Sequence, residues 1–264
     1  MVLPVVNQKG GVGKTTTAIS LATALADAGE HVLLLDLDPQ GNATSGLGIA
    51  VEEDQPTTYD VLVDDLPVDQ ATVPSGTPGL DVLPATVDLA GAEIHLVGAM
   101  SRERRLKRAL RAPRSQYSIT LLDCPPSLGL LTVNALSAAD ALIVPIQCEY
   151  YALEGLGALH RNVQLVKDEL NPGLQVFGYL LTMHDGRTRL SEQVEAEVRR
   201  HFGEEVFSTR IPRSVRLAEA PSYGQSITVF DPSSRAAVAY HRLAREVIAR
   251  LPAQHAMEAS HEST

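Results

Sequence analysis

Short uninterrupted apolar runs alternate along this chain with stretches in which apolar residues return every three or four positions. The runs at 2–6, 31–36, 80–83, 119–123, 141–146 and 174–181 read as buried strands, rich in Val, Leu and Ile. The three-and-four spacing over 15–28, 127–138, 153–170, 190–202 and 235–251 predicts helices, and Gly29 stands where a helix-ending glycine belongs. Strand alternating with helix predicts an α/β fold, a doubly wound, mostly parallel sheet flanked by helices. Residues 52–79 mix Pro, Asp, Thr and Gly without a period and predict surface loops with one short helix. We expect a single domain over 1–251 and a polar, fraying tail over 252–264.

Composition narrows the classes. Hydrophobic content of 44% with 4% aromatics and no Trp fits a core of small aliphatic side chains between helices and a parallel sheet. A formal net charge of −10 excludes a surface that coats nucleic acid all over, so any DNA contact must be local. Cys124 and Cys148 form neither a CxxC pair nor a His-spaced metal pattern and read as free structural thiols. No apolar run reaches the roughly 20 residues that span a bilayer, and no signal segment opens the chain, which predicts a soluble, cytoplasmic protein.

The chemistry concentrates at strand ends. Gln8-Lys9-Gly10-Gly11-Val12-Gly13-Lys14-Thr15 follows a predicted strand and opens a predicted helix, the setting of a phosphate-cradling loop. Gly10, Gly11, Val12 and Gly13 can turn backbone N–H groups toward phosphates, and the helix N-terminus adds partial positive charge. Lys14 would neutralise the β- and γ-phosphates, Thr15 would offer its hydroxyl to Mg²⁺, and Thr16 would hold the α-phosphate. Asp36 and Asp38 close the second strand beside this loop; Asp38 is placed to position an attacking water, while Asp36 supports either Mg²⁺ or its own loop. Ile119 to Asp123 is an apolar strand ending in a carboxylate, and Asp123 is the expected Mg²⁺ residue. The Pro125-Pro126 pair after it stiffens a loop able to sense the γ-phosphate.

The loop departs from the usual phosphate-loop signature, because Gln8 stands where the first Gly belongs and Lys9 precedes the paired glycines. The form Lys-Gly-Gly-x-Gly-Lys-Thr is similar to the deviant Walker A loop of the ParA/MinD group, within the P-loop NTPase fold. DPQGNATSGLG at 38–48, DCPPSLGLL at 123–131, QCEYYALEGL at 147–156 and IPRSVRLAEAP at 211–221 extend the resemblance to chromosomal ParA/Soj proteins over nearly the whole chain. It implies an ATP hydrolase in which Lys9 reaches the partner subunit's nucleotide across an ATP-dependent homodimer, with Gly10 small enough for close approach. It further implies non-specific binding of double-stranded DNA through Arg187 and Arg216, a ParB-type partition protein that stimulates hydrolysis, and a nucleoid-associated location. Pro212 resembles an adenine-side residue, although Ser214 stands where Asn is frequent. Solvated or salt-bridged arginines are the plainer reading of 187 and 216, and a charged helix face that of the basic run at 102–114. Pro4, which cannot donate to a central ladder, and the shortness of its strand point to a truncated start.

Other readings carry their own requirements. A MinD-like, membrane-associated ATPase needs an amphipathic C-terminal helix, and 252–264 holds no Phe, Trp, Leu or Ile, so no membrane contact is expected. A metabolic relative needs cluster cysteines or a substrate pocket, and a self-repressing plasmid ParA needs an N-terminal DNA-reading domain.

Overall fold

The computed structural model describes residues 1–112, 116–149 and 154–251. Arg114 of the basic run, residues 150–153 of the QCEYYALEGL segment and the expected tail at 252–264 lie outside the described residues. In chain order, β1 (Val2–Val5) leads to α1 (Lys14–Asp27), β2 (Val32–Asp36), α2 (Asn42–Gly46), α3 (Thr58–Val63) and α4 (Val68–Ala71). β3 (Val73–Pro74), β4 (Leu80–Leu83), α5 (Leu89–His95), α6 (Arg105–Ala109), β5 (Ile119–Asp123) and α7 (Leu130–Ala138) follow. The last third runs β6 (Ala141–Gln147), α8 (Glu154–Glu169), β7 (Gln175–His184), α9 (Arg189–Phe202), β8 (Val206–Pro212), α10 (Val215–Glu219), α11 (Ile227–Phe230) and α12 (Arg235–Arg250).

The strands make one sheet in the order β3-β4-β2-β5-β1-β6-β7-β8, parallel throughout except for the β3–β4 pair. Period-two alternation sends Leu33, Leu35, Leu122, Val144 and Leu181 to one face, where α3 to α9 cover them. Val5, Leu34, Leu121, Ile143 and Leu180 face the other way, onto α1, α11 and α12. Both faces are therefore dry, which is why the strands read as continuous apolar runs; each fully buried Leu contributes roughly 2 kcal/mol.

Pro4 sits in the middle of this sheet, paired with Leu122. N–H groups of a strand alternate between its neighbours, and those of Val2 and Val6 go toward the β6 side, to Asp140 Oδ2 at 2.7 Å and Ile143 O at 3.0 Å. Pro4 shares that side, where β1 and β6 hold a single register pair, Val5 with Ile143, so the missing donor interrupts the sparser of the two ladders.

Several boundaries differ from expectation. The helix expected from 127 begins at Leu130, because Pro125, Pro126 and an extended Gly129 hold the preceding loop open. Residues 52–79 form two short helices and an edge strand; a capping box, Thr57 with Asp60, starts α3. Gly29 does end its helix, at φ +95°. β8 was not expected: it exposes Ser208 and Arg210 between buried neighbours, so its sequence lacks the continuous apolar run of the central strands.

Candidate functional site

The carboxyl ends of β1, β2 and β5 lie side by side, where ligands bind in open α/β sheets. The loop after β1 is pinned before any ligand arrives. Asn7, buried, donates to Pro145 O at 2.7 Å and accepts the Lys9 N–H at 2.9 Å, while Thr182 of β7 donates its hydroxyl to Val12 O at 2.8 Å. Gly11 and Gly13 take φ of +73° and +88°, conformations that a side chain resists. Gly13 is also the N-cap of α1 and offers no side-chain cap, leaving the first N–H groups of that helix available to an anion.

Lys14 is buried, donates to Lys9 O at 3.3 Å, and has its pKa lowered by burial against the pull of nearby Asp123 and Asp38. The Asp123 carboxylate is fully buried, and neither oxygen meets a hydrogen-bond partner of good geometry. Burial and the neighbouring Asp36 push its pKa well up, while the Thr15 hydroxyl beside it favours the charged form. An orphaned buried carboxylate next to a hydroxyl is costly alone and suits a small hard cation that takes few protein ligands. The described residues hold no group of three or more His, Cys, Asp or Glu that could cage a metal.

Asp36 is committed differently. Its Oδ1 accepts the Asp38 N–H at 3.1 Å and its Oδ2 accepts the Thr44 N–H and hydroxyl at 2.9 and 2.8 Å. Of the two roles expected for Asp36, this geometry supports holding the loop. Asp38, buried at the same strand end, uses Oδ1 to accept the Gln40 N–H at 3.0 Å.

Lys9 is exposed and pairs with Glu149 Oε2 at 3.2 Å, an exposed contact that holds it weakly. A Cβ built on the neighbouring Gly10 would meet nothing within 4 Å, so nothing in this subunit demands glycine there. Thr16 and Gly13 open onto an apolar cleft of about 320 Å³ formed with Met183, Pro212, Leu217 and Tyr240. Pro212 therefore lines an apolar cleft that adjoins the phosphate-loop residues Gly13 and Thr16. Met183 reaches the cleft from a strained φ of +52° at the irregular end of β7.

Arg187 and Arg216 follow β7 and β8, whose ends pair His184 with Pro212. Both are engaged within the subunit. Arg187 forks onto Asp185 through Nε and Nη2, at 2.9 and 2.8 Å, and these bonds hold Asp185 well below the usual carboxylate range. Arg216 bridges Asp231 at 3.1 Å and Glu219 at 3.0 Å and lies 4.6 Å over the Phe230 ring. Beside them Arg210, Arg235 and Arg242 line a polar cleft of about 610 Å³, which the sequence did not disclose because Arg210 lies on β8 and the other two on separate turns of α12. In the basic run, Arg105 and Arg108 both pair with Asp65, and Arg102 pairs with Glu103, as a charged helix face would.

Comparison with known proteins decides the class. An AAA domain family model matches residues 1–176. The sporulation initiation inhibitor protein Soj of Bacillus subtilis is 54% identical over 248 residues, 94% of this chain and 98% of that protein. The chromosome partitioning protein ParA of Caulobacter vibrioides is 54% identical over 251 residues, 94% of either chain. The chain belongs to the ParA/Soj family of partitioning ATPases. Among solved structures, cobyrinic acid a,c-diamide synthase from Mycobacterium smegmatis, with bound ADP and magnesium, matches with a TM-score of 0.82 at 39% identity, over 94% of this chain and 93% of that one. The ParA/Soj assignment accounts for the deviant loop and the paired strand-end carboxylates. Among the described residues, no helix is long and apolar enough to cross a membrane.

Proposed function

We propose that this protein is an ATP-dependent molecular switch of chromosome or plasmid segregation. ATP and Mg²⁺ are bound at the β1 loop, the ATP-bound subunits pair, the pair grips DNA without sequence preference, and a ParB-type partner accelerates hydrolysis and release. The observation that carries the reading is the pinned, uncapped start of α1 with Lys14 and Thr15 facing an orphaned Asp123, in a chain 54% identical to partitioning proteins along its length.

The residues divide the work. Backbone N–H groups from Gly10 to Thr15 cradle the phosphates, Lys14 neutralises charge at the β–γ bridge, and Thr15 and Asp123 hold the magnesium coordination shell. Mg²⁺, when bound, spreads the charge that develops on the transferred phosphoryl group. Asp38 orients water for attack, because phosphoryl transfer needs a placed nucleophile more than covalent help. Lys9, weakly held by Glu149, is free to swing to the partner's phosphates. Arg187 and Arg216 serve DNA phosphates, and doubling the patch by dimerisation couples ATP to DNA affinity.

The diamide synthase likeness offers a metabolic second reading, which rests on 39% identity and is weaker than the 54% shared with the partitioning proteins. Binding of a non-specific duplex, measured with ATP, ADP and no nucleotide across a salt series, separates the two. Binding only with ATP and falling steeply with salt supports the switch; absence of binding in every nucleotide state overturns it.

A further inference from the structure

α5 and the turns on either side of it carry two apolar stripes instead of one. Leu89, Ala92 and Leu96 are buried against the sheet layer. Val87, Ala90, Ile94 and Val97, again at three-and-four spacing, face solvent; Val87, Ile94 and Val97 are 72%, 73% and 64% exposed, and Met100 beyond them is 89% exposed. Scattered exposed residues need no account, but several exposed apolar side chains at helical spacing along one short helix and its flanking turns mark a docking face. The stripe borders a cleft of about 900 Å³ whose walls carry Glu52, Glu53, Asp54, Asp60 and Asp88 and neither Lys nor Arg. Among the described residues none of these carboxylates is in an ion pair; Asp60 caps α3 and Asp88 accepts from Thr86. The Gln55 amide nitrogen, in the same wall, is buried without a hydrogen-bond partner.

Position gives this face a route to the site. The chain entering α5, Pro84 and Ala85, supports the loop that carries Asp38: Thr58 donates to both Asp36 O and Pro84 O, at 2.9 and 3.0 Å, and Thr44 accepts the Ala85 N–H at 3.0 Å. A Cβ at Gly41 would come within 2.9 Å of Ala85 O, so that contact is backbone on backbone. Toward the other end of α5, the Glu93 carboxylate rests against Gly129, in the loop after Asp123, and would have to swing aside for any side chain there. The stretch from Pro84 to Glu93, which enters and forms most of α5, thus touches both segments that follow the strand-end carboxylates.

We propose that the α5 stripe and the acidic cleft form the docking site for a cationic, amphipathic segment of the partner that stimulates hydrolysis, and that its seating is relayed through Ala85 and Glu93 to the loops of Asp38 and Asp123. This rests on the partition-switch reading above. Charge complementarity selects the occupant: a second copy meeting this face with its own would set carboxylates against carboxylates, in a chain of net charge −10. A segment with Lys or Arg around two or three apolar anchors satisfies both features.

The test measures ATP turnover of the full-length protein with DNA, titrated with the ParB-type protein of the same genome. The variants are Ile94→Asp and the double change Glu53→Lys with Asp54→Lys, all on exposed positions outside the nucleotide site. Expected are unchanged basal turnover and at least an about tenfold rise in the partner concentration for half-stimulation in both variants. Hydrogen exchange should slow at 52–60 and 87–97 when partner and ATP are added to wild type, and not in the variants. A wild type that responds while both variants respond equally overturns the docking site alone. A wild type that never responds overturns the partition-switch reading and the docking site with it. Loss of ATP-dependent dimerisation by Ile94→Asp in the absence of partner would make the stripe a self-association face and also overturn the proposal.

Discussion

The backbone N–H and the hydroxyl of Thr44 both donate to the same oxygen of Asp36, at 2.9 and 2.8 Å. With the Ala85 N–H donating to that hydroxyl at 3.0 Å, one buried side chain ties the end of β2, its loop and the chain leaving β4. Thr44→Val keeps the shape but removes one of the two donors to the Asp36 oxygen and strands the Ala85 N–H in the interior. We expect a loss of about 1–3 kcal/mol in a urea titration, with Thr44→Ser recovering most of it. An unchanged midpoint in the valine variant would show that the network adds nothing to folding.

Gly10 makes a contrasting case. Its backbone is not in the left-handed region and a Cβ there meets nothing within the subunit, so Gly10→Val should leave the melting curve of the monomer within about 0.5 kcal/mol of wild type. If ATP is sandwiched between subunits, the same change should abolish the ATP-dependent dimer in light scattering. A dimer that forms normally would move the interface elsewhere.

Asp38→Ala should leave nucleotide binding and ATP-dependent DNA binding intact while turnover falls by about 10²-fold or more, because Lys14, Thr15 and Asp123 remain to bind. Among the described residues, Asp38 Oδ1 holds its loop through one bond, from Gln40 N–H at 3.0 Å. Equilibrium binding of a fluorescent ATP analogue checks this: lost binding would mark Asp38 as a structural residue.

Glu246 offers a prediction in pH. Burial alone would raise its pKa, but the N–H groups of Ser208 and Thr209, at 2.7 and 3.1 Å, outweigh it and hold the carboxyl below its ordinary value. A folded pKa below the unfolded one contributes stability above the unfolded value, about 4.3, that is lost as pH falls through the folded value. Glu246→Gln should therefore be less stable than wild type at neutral pH by on the order of 1 kcal/mol, with the gap closing below about pH 4. A gap that persists in acid would trace the loss to packing of α12 on β8.

How much of this could be read in advance follows from which forces are local. The central strands were legible because both faces are covered, and the phosphate loop because Gly11, Gly13 and Lys14 act through their immediate neighbours in sequence. β8 was not, since Ser208 and Arg210 reach solvent between buried residues and imitate a loop. Nor was the tie from Thr182 to Val12, which spans 170 positions and has no sequence signature. The two faces of α5 escaped for an opposite reason: with apolar residues at both 89, 92, 96 and 87, 90, 94, 97, no single amphipathic direction stands out. The ion pairs of Arg187 and Arg216 lay beyond the motif as well, because a sequence match gives a residue's place but not its present partner.

Those partners make DNA binding testable from both sides. Arg216 is shared between Asp231 and Glu219, at 3.1 and 3.0 Å, in a half-exposed setting where such pairs hold weakly and are screened by salt. If the guanidinium leaves them for a phosphate, Arg216→Ala should weaken all duplex sequences alike and reduce the slope of log K against log salt by about 0.9 per subunit. Asp231→Asn should act in reverse, tightening ATP-dependent binding by releasing Arg216 from one competing carboxylate, with the salt slope kept. Gel-shift or anisotropy titrations at several salt concentrations read both terms. An Asp231→Asn variant that binds no more tightly, beside an Arg216→Ala variant with an unchanged slope, would leave Arg216 a structural clamp between α10 and α11 and transfer the DNA role to the cleft of Arg210, Arg235 and Arg242.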